Sequence, residues 1–521
     1  MTNPSTLYRG GVLHCPADPS ATALMVSGGR IAWLGTDGDA PPADRVVDLD
    51  GALVTPAFVD AHVHATDTGL ALSGLELSGV RSAGQLLDAV AGFAAGLPAD
   101  AVVLGHGWDE SGWSDKTLPD AAALDRAAGG RRVYLSQASI HSALVSSALL
   151  AACPQAAEAL GYDASGWLRR DAHHVVRAAA QGSVSRAQRV AAQRVALAHA
   201  ASLGIAAVHE CGGPEISDEE DFTGLLGISG AGLPEVYGYW GELGGAARAR
   251  ELGAVGAGGD LFADGALGSR TAHVSQPYGD GDGCGHGYLS AEQVRDHLLD
   301  CAAQGLQGGF HAIGDAAIGT VLDGFAAAAA TLGVERLRAA RHRIEHAEIM
   351  NKRMIARFVE YGIVASMQPA FDRLWGGAGR MYEARLGLDR SLESNPMGAM
   401  HSVGVALAFG SDSPVTPLDP WGSVRAAAAH HNPAQRMSVR SAFAAHTRGG
   451  WRAVHLDVEG VLALGAPATF AVWSTPAGVE RGLPVLVAED PEVRGPDDPT
   501  PLPVCRRLVL RGEVIYEEGS S

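Results

Sequence analysis

Lysine and arginine are scarce beside acid in this chain: 39 against 58 in 521 residues, a formal charge of −19. A phosphate backbone is bound by clustered cations, so nucleic acid and anionic membrane are not expected partners. The six cysteines (Cys15, Cys153, Cys211, Cys284, Cys301 and Cys505) are scattered without a Cys-x-x-Cys pair. That spacing speaks against a structural zinc cluster and against a disulfide framework. No uninterrupted apolar run of about 18 residues occurs, so no membrane-spanning helix is expected. Met1 to His14 lack the apolar stretch of a secretory leader. A cytoplasmic location is the expectation. What the chain does have is apolar material, 47% of residues. That is enough for a sizeable core, in two or more domains or in one large barrel with attachments.

Both ends read as short strands between turns. Near the start these are Ala23 to Val26, Ile31 to Leu34 and Val46-Val47; near the end, Thr469 to Trp473, Leu508 to Leu510 and Val514 to Tyr516. Two β-rich ends around a different middle predict one small β-domain built from both termini, residues 1–55 with 456–521. The middle, 56–455, alternates strand and helix, the rhythm of parallel strands with helical crossovers. Predicted strands are 54–64, 205–210, 234–240, 260–264, 308–313, 342–347, 363–368 and 405–411. Ser290 with Gln293 is a capping-box start for a helix that stops at Gly305, and Asn351 can cap another that ends before Gly362. Eight strands fit an α/β fold of the (β/α)8 type, with a doubly wound open sheet as the alternative. Residues of about 70–180 are too many for one crossover. They predict an α/β insertion after the first barrel strand, at the end of the barrel that carries active sites.

The run Phe58-Val59-Asp60-Ala61-His62-Val63-His64 places two histidines two residues apart. In a strand such side chains share a face, so His62 and His64 can present two imidazoles to one point. Two convergent nitrogens begin a transition-metal site, most simply for zinc. Further donors fall where other predicted strands end: His311 on the fifth, His346 on the sixth, Asp412 on the eighth. In a barrel these ends meet at one mouth. Each alone has an ordinary reading, as a helix cap, a residue of a charged turn or the start of a Ser-Asp-Ser-Pro loop. Their joint placement favours a shared site.

With these segments in view, the run from Val54 to His64 resembles the first-strand signature of the metal-dependent amidohydrolase superfamily. Gly107-Trp108-Asp109-Glu110, Leu261 to Ala272, His311 to Asp315, Arg343-Ile344-Glu345-His346, Gln368-Pro369 and Gly410 to Val415 narrow the resemblance. They are similar to the YtcJ-like group of family-3 amidohydrolases, which includes N-substituted formamide deformylases. The resemblance covers nearly the whole chain. It implies a (β/α)8 barrel, a small β-sandwich from both ends, and a hydrolytic metal centre on His62, His64, His311, His346 and Asp412. One position departs. Four residues before the aspartate of Asp264-Gly265 the family pattern often has lysine, which in related binuclear members is carboxylated and bridges two metals. Here it is Asp260. Aspartate is several bonds shorter, so it is not expected to span the same distance. Either one zinc ion sits on His62, His64, His311 and Asp412 with His346 left for substrate, or another group bridges two ions. Glu210, at the end of the second strand, is the candidate substitute, and it reads equally well as a loop carboxylate. One ion is favoured and two stay open.

Cleavage of a carbon–nitrogen bond in a small amide-like substrate, an amide or N-formyl group, is the leading expectation. Asp412 would act as general base, with His346 polarising the carbonyl if it is not a ligand. Asp315 would either orient His311 or cap the following helix. Trp108, Trp113, His141, Tyr239, Trp240, Phe371 and Trp375 are candidate lining residues. Arg270 could take a substrate carboxylate, or pair with Asp264 or Asp260. The nearest rival is deamination of an amino-heterocycle, which the departure at Asp260 helps; a non-hydrolytic ligand-binding barrel is the alternative of another class. Homo-oligomer formation is left open.

Overall fold

The apolar strands of the middle of the chain pair side by side, all parallel, in a computed structural model that describes residues 4–138, 142–488, 495 and 497–519. They are β1 (Phe58–Val63), β2 (Ile205–Gly212), β3 (Glu235–Trp240), β4 (Gly256–Ala257), β5 (Gln307–Ala312), β6 (Arg343–His346), β7 (Val364–Met367) and β8 (Ala406–Phe409). Neighbours in sequence are neighbours in space. The eighth strand returns to the first where Val63 bridges Ser413, with His64 N donating to Ser413 O at 2.9 Å and Asp412 N to His62 O at 2.8 Å. Asp60 Oδ1 fastens this seam, accepting from Ser411 N at 2.9 Å and His62 N at 3.2 Å. The result is a (β/α)8 barrel. Every residue of β1, β2, β5, β6 and β7 is buried, because one face fills the barrel and the other meets helices.

Helix limits follow local chemistry. Ser290 and Gln293 form the reciprocal capping box of the helix Ala291–Gln304, which stops at Gly305 in the left-handed conformation. Asn351 caps Lys352–Tyr361, and Gly362 ends it in the same way. The crossover helix after β5, Asp315–Leu332, has the length and apolar composition of a membrane span. It buries Ile318, Val321, Leu322 and Phe325, and Phe325 meets Phe310 of β5 edge-on at 6.2 Å.

Two strand predictions need correction. The run 54–64 is two strands. Leu53–Pro56 pairs with Phe470–Ser474, and only from Phe58 does the chain enter the barrel. The fourth strand is Gly256–Ala257, not 260–264. Both ends of the chain share a five-stranded sheet, ordered Val12–Leu13, Leu53–Pro56, Phe470–Ser474, Val504–Leu510, Glu513–Glu517. A four-stranded sheet of N-terminal strands, which includes the unpredicted Ser5–Arg9, shares its core: Tyr8, Leu24 and Ile31 cluster with Val54, Phe470 and Val509. Residues Thr66–Ala196 form a separate compact unit with its own five-stranded sheet and hydrophobic cores.

Candidate metal centre

His62 lies near the end of β1 and His64 just beyond it, with their Nε2 atoms beside the same two carboxylates. His62 Nε2 lies 3.4 Å from Asp260 Oδ1 and 3.5 Å from Asp412 Oδ1; His64 Nε2 lies 3.2 Å from Asp260 Oδ2 and 3.2 Å from Asp412 Oδ1. Four ligands set tetrahedrally about 2.1 Å from an ion would be about 3.4 Å apart, so this tetrad matches the size of a divalent-cation cage. The same Asp260 Oδ1 also faces His311 Nδ1 at 3.5 Å and His346 Nε2 at 3.9 Å. His62 Nε2, His311 Nδ1 and Asp260 Oδ1 are buried and make no hydrogen bond. Burying polar atoms unpaired is costly, and a cation would satisfy all three. The residues present fit the group.

Asp260 is the hub, contrary to the expectation that its side chain is too short. Backbone supplies the reach. Ala257 pairs with Gly308 and Phe262 with His311, so five steps along this strand face three along β5. The two extra residues are a bulge, the device that re-aims a side chain beside an active site. Glycine makes it sterically feasible. A Cβ on Gly258 would lie 2.3 Å from Gly309 N, one on Gly259 3.0 Å from Cys211 Sγ, and one on Gly241 2.9 Å from the Asp260 carbonyl carbon.

Beneath the ligands lies a polar layer to which sequence reasoning gave no role. Glu345 Oε2 accepts from His62 Nδ1 at 2.9 Å, which leaves Nε2 for the cluster. The fully buried Arg343 grips both Glu345 oxygens at 2.9 Å and also donates to Ala61 O, Ser366 Oγ and His209 Nδ1. Burial opposes charge on Glu345, but Arg343 and His62 outweigh it and hold the carboxyl well below its usual range. His346 Nδ1 donates to Gln368 Oε1 at 2.8 Å, which turns its Nε2 toward Asp260. The signal was present in the sequence: Arg343 and Glu345 are i and i+2 on a predicted strand, hence on one face. Burial also works against charge on His62 and His64, yet Cys211, Asp260 and Asp412 around His62, and Asp260 and Asp412 around His64, hold both imidazoles well above the ordinary value.

The centre opens into a cavity of about 370 Å³ whose wall includes Phe262, Leu267, Ile313, Phe371, Trp375 and Met381. Phe371 stacks on His346, rings 9° from parallel at 5.9 Å. Glu348 also lines it, and burial pushes its carboxyl up to about 7.

Other expected site residues lie elsewhere. Glu210 Oε2 accepts from Ala65 N at 2.8 Å, which holds the chain leaving β1, and Glu210 is in none of the donor clusters among the described residues. Trp240 is packed against Phe222 and Ala246 on the outer face of β3, while its neighbour Tyr239 points inward under Arg343. Strand alternation allows only one of the two to face the interior. Arg270 forms a two-pronged pair with Asp280, both bonds 2.9 Å, and reaches neither Asp264 nor Asp260. Asp315 accepts from Ser275 N at 2.8 Å and so neither orients His311 nor occupies the N-cap, which is Gly314. Trp108 is fully buried among Leu86, Leu124 and Val133 of the insertion core, with Nε1 donating to Leu135 O at 2.8 Å; Trp113 joins that core. His141 lies outside the described residues.

A barrel with this donor set at its mouth defines a class, and comparison agrees. The profile of the amidohydrolase family matches residues 45–516, and the chain belongs to that family of hydrolases. A Bacillus subtilis protein named as an amidohydrolase, YtcJ, is 25% identical over 98% of this chain and 99% of its own length. The Arabidopsis thaliana protein LONG AFTER FAR-RED 3 is 34% identical over 225 residues, 41% of this chain and 38% of its own. Among solved structures, a metal-dependent hydrolase from Pyrococcus furiosus superposes with a TM-score of 0.75 at 24% identity, covering 90% of this chain and 98% of that one.

Proposed function

We propose that the protein hydrolyses a carbon–nitrogen bond, of the amide or N-formyl type, in a small substrate with an apolar body. The observation that carries this reading is the convergence of His62, His64, His311 and His346 on Asp260, with Asp412 against His62 and His64, at the mouth of a largely apolar cavity. His62, His64, Asp260 and Asp412 would hold one cation, and Asp260 with His311 and His346 offers a place for a second. Mixed nitrogen and oxygen donors favour zinc. A divalent cation in such a site supplies Lewis acidity, lowering the pKa of coordinated water towards ~7 and polarising a carbonyl. Asp412 is positioned to accept the proton of the attacking water and return it to the departing amine. Phe371 and its apolar neighbours exclude bulk water from the amide, which strengthens every charge interaction inside.

The deaminase reading rested on a single ion with His346 unengaged. Asp260, 3.9 Å from His346, weakens that basis. The test is direct. Protein purified without chelator is assayed for metal by mass spectrometry, then against N-formyl and N-acyl amines and against amino-heterocycles, scoring carboxylate against ammonia. Asp412→Asn should lower hydrolysis by about 10²–10⁴-fold with metal retained. Near-wild-type hydrolysis by that metal-loaded variant would end the general-base assignment, and ammonia release alone would end the amide reading.

A further inference from the structure

The cavity beside the metal centre holds one acid that the proposed chemistry does not use. Glu348 is 1% exposed and lines that cavity. It is firmly built in. His346 and Ala347 adopt positive φ (68° and 48°), turning the chain so that Glu348 follows the last ligand of β6. Ile349 N then donates to Ile313 O at 3.0 Å, and Asn395 N to Glu348 O at 2.8 Å, pinning the backbone on both sides. The side chain is pinned through one oxygen. Oε2 accepts from Tyr382 Oη at 2.5 Å and lies 3.5 Å from Asn395 Nδ2. Among the described residues both side-chain hydrogen bonds of Glu348 fall on Oε2, none on Oε1, and no lysine or arginine pairs with it. Around it the wall is apolar, with Leu267, Ile313 and Met381. A carboxylate oxygen at the wall of a largely apolar cavity is costly without a partner. Two neutral donors on one oxygen leave the other to be satisfied by whatever fills the cavity.

We propose that Glu348 is a recognition group for the substrate: it selects amides whose apolar body carries a hydrogen-bond donor, a hydroxyl or an ammonium, placed to reach Oε1. This inference rests on the amide-hydrolase reading for its substrate, and it specifies which amides. The role is specificity. Glu348 binds the far end of the substrate and takes no part in bond cleavage. A site built around a buried acceptor discriminates sharply against analogues that leave it unpaired.

Three formanilides of similar size serve as probes, bearing para-ethyl, para-hydroxymethyl or para-aminomethyl groups. With metal-loaded wild-type enzyme, kcat/KM should favour a donor-bearing compound over the ethyl compound by about fivefold or more, mostly through KM, within the range for one hydrogen bond. Glu348→Leu should collapse that ratio to near one. Glu348→Gln, which keeps the shape and an acceptor, should retain the hydroxymethyl preference and lose the aminomethyl one, and it covers the case in which the leucine variant does not fold. Calorimetric binding of the three corresponding anilines to the same metal-loaded proteins reads the preference without turnover. Anilines that show it while no formanilide is cleaved would sink the amide reading alone. A wild-type ratio near one in both assays, or a ratio unchanged in both variants, would overturn the assignment of Glu348.

Discussion

If a two-residue bulge brings Asp260 to the centre of four histidines, a methyl group that disturbs the bulge should damage the metal site from outside the ligand set. Gly259→Ala is such a perturbation. Gly259 has φ +78°, and an added Cβ would meet Cys211 Cβ and Sγ at 3.0 Å and its Cα at 3.2 Å. A left-handed conformation costs a residue with a Cβ about 1–2 kcal/mol. Forcing a methyl into a packed interior adds about 1–3 kcal/mol. Cys211 is fully buried on β2, and its Cα and Cβ cannot rotate aside, so the bulge itself must give. Two outcomes bracket the response. A bulge that stays put loses about 2–5 kcal/mol of stability, the sum of those costs. A bulge that relaxes outward recovers part of that but carries Asp260 off its position. Cation affinity and kcat/KM should then fall by about 10–100-fold. Gly253→Ala is the control: φ is +84°, but the nearest atom to its added Cβ is Leu226 Cδ1 at 3.7 Å. It should lose about 1–2 kcal/mol with unchanged cation affinity. Urea unfolding, metal retained after dialysis against graded chelator, and steady-state kinetics separate the cases. The reasoning fails if Gly259→Ala leaves stability, metal and activity untouched, or if Gly253→Ala loses metal equally.

Glu345→Gln keeps the shape that holds His62 but removes the charge shared with Arg343, and it should weaken cation binding by about 10–100-fold with the barrel still folded; unchanged retention of metal under chelator titration would contradict that. His342 is fully buried, and burial lowers its imidazole to about 3 while Gly308 N donates to its Nδ1 at 2.8 Å. Its folded value is below the unfolded one of about 6.5, so the unfolded chain takes up the proton first, and the stability this neutral ring contributes is complete above pH 6.5 and lost as pH falls toward 3. His342→Asn, which offers an acceptor that does not titrate, should therefore flatten the fall in stability between pH 6.5 and 4 by up to about 1.4 kcal/mol per pH unit, read from urea midpoints at stepped pH, and parallel curves would refute the assignment. An aspartate needs no carbon dioxide to become a carboxylate, so metal content and activity should not change when the enzyme is prepared in buffers stripped of carbon dioxide, and recovery on adding bicarbonate would show a different ligand.

How far the sequence could be read depended on which physical signal each residue carried. His62 and His64 were legible because strand alternation is local: two residues apart is one face, whatever surrounds them. His311, His346 and Asp412 were legible one step less directly, through strand ends that a parallel barrel must gather at one mouth. Trp240 and Arg270 were not. Which face of β3 looks inward depends on pairing with its neighbours, and the partner of Arg270 is an aspartate ten residues on that a loop happens to bring back. Trp108 looked like a mouth residue because it lies in the insertion expected to cover the active-site face, yet it fills the core of that insertion. An aromatic side chain in such a segment is as well suited to packing as to contact.

Asp260 shows the limit most clearly, and shows where a signal lay. Judged by side-chain length, an aspartate in place of a lysine loses several bonds of reach, and a weaker or smaller metal site follows. Reach, however, is the sum of side chain and backbone, and a bulge adds to the second what the substitution removes from the first. Such a bulge needs residues without a Cβ where it crosses its neighbours. The sequence has Gly258-Gly259 immediately before Asp260, with Gly241 just past β3 and Gly309 on β5. Glycine beside a shortened ligand is therefore informative in a way that neither is alone. The same argument makes a simple return to lysine at 260 unfavourable: a long side chain on a backbone already brought inward would overshoot into His62 and Asp412, which lie within 3.5 Å of the present carboxylate or share its histidine partners. Bulge and aspartate have to be exchanged together.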